Sequence, residues 1–225
     1  MSEESKKIID EINVIEVELD NDNFDIIPDD PGAYSILNKI NLKWDGQNIT
    51  DIAWARKPFG LATNFFEQNK ECSSTDKDAV ACVSRNRTVK YLKKTQIPKN
   101  VDQISKYKVC APKAYGGQRG DRRITIPKHH IFLLEKDFIC TETYNVIGAF
   151  ETKQEALSFI SYLQTDFSRY LLGLRKITQD IPRDRWKWIP LLDLSKDWTD
   201  EKLAQFFKLT EKEQEHIKKK VLEWS

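Results

Sequence analysis

The 225-residue chain is 40% apolar, 11% aromatic and 32% charged, with 36 Lys and Arg against 35 Asp and Glu. This composition excludes a disordered or fibrous chain and suffices for one large domain or two small ones. No stretch approaches the roughly 20 apolar residues of a membrane helix, and the polar, acidic start is not a secretory signal, so a cytoplasmic protein is expected.

The acidic opening is read as a leader or linker over residues 1–32. It ends in the turn Asp29-Asp30-Pro31-Gly32, and the compact domain is placed at 33–225. Residues 33–43 put Tyr34, Ile36, Leu37 and Ile40 on one helical face. A short helix capped by Thr50 or Asp51 is predicted to run to about Ala55, before Lys57-Pro58-Phe59-Gly60 breaks it. Residues 67–78 are polar and read as an exposed loop. Strands at 80–84 and 88–92 flank Arg85-Asn86-Arg87, a hairpin turn. One or two helical turns over 101–107 lead into a strand at 108–112. The glycine-rich loop from Ala114 to Arg123 follows, and then strands near 131–134, 138–141 and 144–149.

The last third is helical. Thr152 with Glu155 forms a capping box for a helix that buries Ala156, Phe159, Ile160 and Leu163. A second helix over 166–176 turns Phe167, Tyr170, Leu171 and Leu174 inward. Residues 182–194 read as extended chain. Thr199 caps a helix to Phe207, and Thr210 with Glu213 caps another to about Leu222. The class is therefore α+β, with an irregular mixed sheet in a β-rich part (33–150) and helices at 151–225.

Tests for chemistry come out negative. Cys72, Cys82, Cys110 and Cys140 match no zinc or CxxC spacing and are read as reduced thiols. No glycine fingerprint follows a strand, and no Pro-Pro turn or G-x-S-x-G elbow occurs. Asp137 with Glu151-Thr152-Lys153 mimics a nuclease cluster, but Thr152 reads as a helix cap, which places Glu151 and Lys153 at a helix start. His129 and His130, in an extended segment, point to opposite faces, and His216 sits on a Lys-rich helix. The chain is expected to hold no catalytic residue, metal site or cofactor.

Charge is unevenly placed. Residues 1–30 carry eleven acids and two bases, whereas residues 85–128 carry thirteen bases and two acids. Such a block attracts a polyanion. Arg85, Arg87, Lys90, Lys93 and Lys94 are candidate phosphate contacts. Lys113, Tyr115, Gln118, Arg119, Arg122 and Arg123 are candidates on the loop, where Arg suits guanine and Gln adenine. Arg175, Lys176, Arg183 and Arg185 form a second basic cluster, for which cationic capping of a helix end is the alternative. Trp186, Trp188 and Trp198 are assigned to core or docking.

The segments KYKVCAPKAYGG and 138–217, above all LRKITQD (174–180) and PLLDLSKDWTDEKL (190–203), together with Arg56-Lys57-Pro58-Phe59-Gly60-Leu61, resemble the C-terminal part of adenine-specific DNA methyltransferases of type II restriction–modification systems, including the fused type IIG enzymes. The portion resembled is the TaqI-like target-recognition domain, over about residues 33–222. The resemblance implies sequence-specific binding of double-stranded DNA. It also implies a catalytic methyltransferase or endonuclease domain or subunit as partner, with S-adenosylmethionine bound there and not by this region. The family's catalytic half, which should precede this region, has no counterpart in the chain. A protein-interaction module that docks on a partner or inhibits it is the other reading.

Overall fold

The computed structural model describes residues 25–115 and 126–223. Helix α1 (Ala33–Lys43) and a one-turn α2 (Phe65–Gln68) precede β1 (Ala79–Val83), β2 (Val89–Lys93), β3 (Tyr107–Pro112), β4 (Phe132–Leu134), β5 (Phe138–Cys140) and β6 (Tyr144–Phe150). Then come α3 (Lys153–Leu163), α4 (Asp166–Arg175), α5 (Asp200–Phe207) and α6 (Glu211–Glu223). The fold is α+β, as the sequence predicts.

The strands form two three-stranded sheets. In one, ordered β2-β1-β5, the β1–β2 hairpin is antiparallel and β5 lies parallel to β1. The other, β4-β3-β6, is antiparallel, with a register shift between Val109 and Cys110. Period-2 alternation then divides its side chains between two cores. Val109, Ala111 and Ile147 join the helices in one core. Cys110, Leu134 and Val146 join Val80, Cys82 and Leu92 of the first sheet in the other.

Local chemistry sets the helix starts. Thr152 Oγ1 accepts from Glu155 N at 3.3 Å while the Glu155 carboxylate accepts from Thr152 N at 3.2 Å. The same exchange joins Thr210 and Glu213, and Thr199 Oγ1 accepts from Lys202 N. These satisfy amides that a helix end leaves without partners. Helix α4 is buried from Phe167 to Arg175, because α3, α5, α6 and the segment 183–186 pack around it. Trp186 and Trp198 are core residues, as expected.

Three expectations need correction. The first short helix is a 3₁₀ turn, Ile49–Asp51, capped by Asn48, whose side chain accepts from Thr50 N at 3.0 Å; Asp51 is the reciprocal partner of the cap, accepting from Asn48 N at 2.8 Å. Residues 182–194 are not wholly extended, since Pro182 opens a 3₁₀ turn over Arg183–Trp186 that drives Trp186 into the core. His129 and His130 lie in a 3₁₀ turn, so their rings converge to 4.3 Å instead of diverging.

The end of the acidic stretch is built into the helical half. Asp30 is 3% exposed. Its Oδ2 accepts from Tyr170 Oη at 2.7 Å and lies 2.8 Å from His216 Nε2. Gly32 permits this closure, because a Cβ there would stand 2.5 Å from the His216 ring.

Candidate nucleic-acid interface

The β1–β2 turn needs two consecutive residues in the left-handed region, Asn86 (φ 57°) and Arg87 (φ 58°). Asn tolerates this; Arg does so at a cost of about 1 kcal/mol, offset by long-range contacts. Arg87 N donates to Tyr144 Oη at 3.1 Å. Its guanidinium donates to the His129 carbonyl and lies 4.4 Å over the Phe132 ring. The turn is thereby fixed against the His129-His130 turn and the start of β6.

Between these turns runs a groove of about 410 Å³, lined by Arg85, Arg87, Ala114, Tyr115, His129, His130 and Tyr144, with no carboxylate among its lining residues. Tyr115 meets His130 edge to face at 4.9 Å. Burial, with help from neighbouring His129 and Arg87, holds the His130 pKa below its ordinary value. The electrostatics favour an anion, because no described residue of the lining sets a negative charge against the guanidinium groups. Ala114 and Tyr115, at the start of the glycine-rich loop, line the same groove. Gln118, Arg119, Arg122 and Arg123 lie outside the described residues.

The other candidates are dispersed. Lys90 reaches over the Phe66 ring at 5.3 Å. Lys93 and Lys94 are exposed, but they sit at the far end of β2, roughly 20 Å from the hairpin turn at strand rise. Lys113, just past the end of β3, is not in the groove lining, which takes Pro112 and Ala114 on either side of it. Its Nζ lies 3.1 Å from Glu142, which also holds Arg56. Burial alone would raise the Glu142 pKa, but these two hydrogen bonds outweigh it and keep the pKa below the usual value.

The second basic cluster does not form one surface. Arg175 and Lys176 are buried, at 2% and 1% exposure. Both Arg175 Nη atoms donate to Asp25, at 2.6 and 3.1 Å, and Nε donates to the Asp184 carbonyl. Asp25 also takes Lys187 at 2.9 Å. The acidic stretch thus neutralises part of this cluster, and a buried cation reaches no duplex in this arrangement. Arg185 pairs with Asp184 at 3.0 Å. Only Arg183 of the four stays well exposed, tethered by Nε to the Thr50 carbonyl.

The nuclease-like residues are dispersed into ordinary ion pairs, Lys153 with Glu135 at 2.6 Å and Glu151 with Lys106 at 3.1 Å. His129 and His130 are additions to the site. Their density of ring nitrogens next to a basic segment was visible in the sequence, but the helical turn that converges them was not.

No family model matches the chain, and no curated protein shows significant similarity to it. Among the described residues no strand passes through a glycine turn into a helix, the cradle that S-adenosylmethionine would require. Among the same residues no group of His, Cys, Asp and Glu could hold a metal, and no helix is long and apolar enough to cross a membrane.

Proposed function

We propose that the chain recognises double-stranded DNA, as the target-recognition domain of a type II restriction–modification adenine methyltransferase whose catalytic domain or subunit binds S-adenosylmethionine. The observation that carries this reading is the groove between the hairpin turn and the His129-His130 turn. It gathers Arg85, Arg87, Tyr115 and two histidines, has no carboxylate among its described lining residues, and takes in Ala114 and Tyr115, where the arginine- and glycine-rich loop of the sequence begins. Phosphates would sit against Arg85 and Arg87, while the loop arginines and Gln118 would reach base edges. The sequence resemblance supports the methyltransferase context. Docking through Trp186 or Trp198 is disfavoured, since both are buried.

The test is duplex binding measured by fluorescence anisotropy over a salt series, followed by selection from randomised duplexes. Binding should weaken as salt rises, and one short motif should be enriched. Arg85→Glu with Arg87→Glu should weaken binding at least tenfold and flatten the salt slope by about two. No salt-dependent binding, or binding unaffected by the double reversal, would rule out the groove as the interface. Binding without motif enrichment would remove the recognition role.

A further inference from the structure

A second cleft, of about 560 Å³, opens where the sheet half meets the helical half. It lies on the other side of the β3 end from the hairpin groove, with Lys113 in its wall where Ala114 faces the groove. Its volume falls in the range of small-ligand sites. Trp54 supplies a broad aromatic wall, fixed by its backbone bond to Val146 and by its edge contact with Phe59 at 5.5 Å. Arg56, Lys113 and Arg183 stand around it.

The charge balance there favours an anion. Glu142, 4% exposed, is shared by Arg56, Lys113 and, at 3.8 Å, Lys57. Of these cations Arg56 and Lys113 line the cleft, so two meet one carboxylate there and a positive surplus remains. Arg183 adds to it, because its tether to Thr50 uses Nε and holds the rest of the guanidinium at the rim. The opposing acids are partly answered, since Asp184 is held by Arg185. Asp180 also lines the cleft, fixed by its backbone bridge to Ala114.

We infer that this cleft binds a nucleoside phosphate. The base lies on the Trp54 indole, and the phosphate lies among Arg56, Lys113 and Arg183. An aromatic face beside cations is the pairing that stacks a base and neutralises its phosphate. Asp180, on the cleft wall, accepts from a donor on the base edge. The inference does not depend on the hairpin groove. The ligand is either a free nucleotide or one unstacked nucleotide of a strand.

Tryptophan fluorescence and calorimetric titrations with adenosine monophosphate, and separately with a short single-stranded oligonucleotide, test it. At least one ligand should quench the emission and bind. Trp54→Leu should abolish the quench and weaken binding tenfold or more, and Arg183→Gln should weaken it about fivefold. Trp54→Phe, which keeps a stacking ring and guards against a folding defect, should bind within a few-fold of the unaltered protein. Binding of the monophosphate identifies a free nucleotide, and binding of the oligonucleotide alone identifies a strand. If neither ligand binds, or if binding is unchanged in Trp54→Leu and Arg183→Gln, the inference is overturned. Duplex anisotropy in the same variants separates the two proposals, since a failure at Trp54 with duplex binding intact removes this site alone.

Discussion

The hairpin groove and the segment 175–187 are both rich in arginine, yet they use it differently. At the groove, Arg85 and Arg87 sit on an exposed turn, and Arg87 is anchored by a carbonyl, a phenol and an aromatic face. Its charge is positioned without being cancelled. In the second segment, Arg175 meets Asp25, Arg185 meets Asp184 and Lys187 meets Asp25. There these three cations join pieces of the fold and, unlike the exposed Arg183, generate little external field. Positive charge along a sequence therefore marks an anion site only where it outnumbers the neighbouring acids, and the relevant acid can be 150 residues away.

Lys108 extends the comparison to a cation without a carboxylate bond. It is fully buried in the second core, and its Nζ donates to the Ile104 carbonyl at 2.8 Å. Desolvation lowers its pKa to about 8 from 10.5. A lysine whose folded pKa lies below its unfolded value opposes folding while protonated. Stability should therefore rise as pH increases from about 8 to about 10.5, by roughly 3 kcal/mol in this group's contribution. Lys108→Met should remove that slope and stabilise the protein at pH 7, as read from urea denaturation at several pH values. An unchanged slope would mean that the amine finds another partner.

Next in size is the Arg175–Asp25 pair. Arg175→Ala should cost about 2 kcal/mol in denaturant unfolding, below the figure for a fully buried pair because Asp25 stays in partial contact with water. Hydrogen bonding to Arg175, outweighing burial and joined by Lys187, holds the Asp25 pKa far below the ordinary 3.8. A depressed carboxylate contributes stability above its unfolded pKa and loses it as pH falls below about 3.8. Asp25→Asn should therefore blunt acid unfolding in that window.

Arg85→Ala sharpens the contrast from the other side. It should leave stability within about 0.5 kcal/mol, as an exposed surface change does. It should nevertheless weaken duplex binding by about fivefold, measured by anisotropy at fixed salt. If Arg85→Ala destabilised the fold as Arg175→Ala does, the two regions would not differ in the way their geometry indicates.

Much of this fold was legible where the determining contacts are local. The helices at 33–43 and 153–163, the capping boxes of Thr152 and Thr210, and the hairpin around Asn86 depend on residues within a few positions of one another. The site was legible only in part. Arg85, Arg87 and Tyr115 come together, but Lys113 turns to Glu142, and Arg175 and Lys176 are buried. The placement of Lys113 required the strand end to be known, and the burial of Arg175 required the position of Asp25. Neither follows from spacing.

The smallest effect isolates this local component. Thr152→Ala deletes a cap that joins only Thr152 and Glu155, and it should cost about 1 kcal/mol in denaturant unfolding. Helix α3 packs on β3 and β6 and lies outside the groove lining, so duplex binding should not change under conditions where the variant remains folded. A loss of binding from this substitution would show that groove geometry depends on how α3 is seated. The separation between cations that hold the fold and cations that face a ligand would then have to be redrawn to include the helix beneath the sheet.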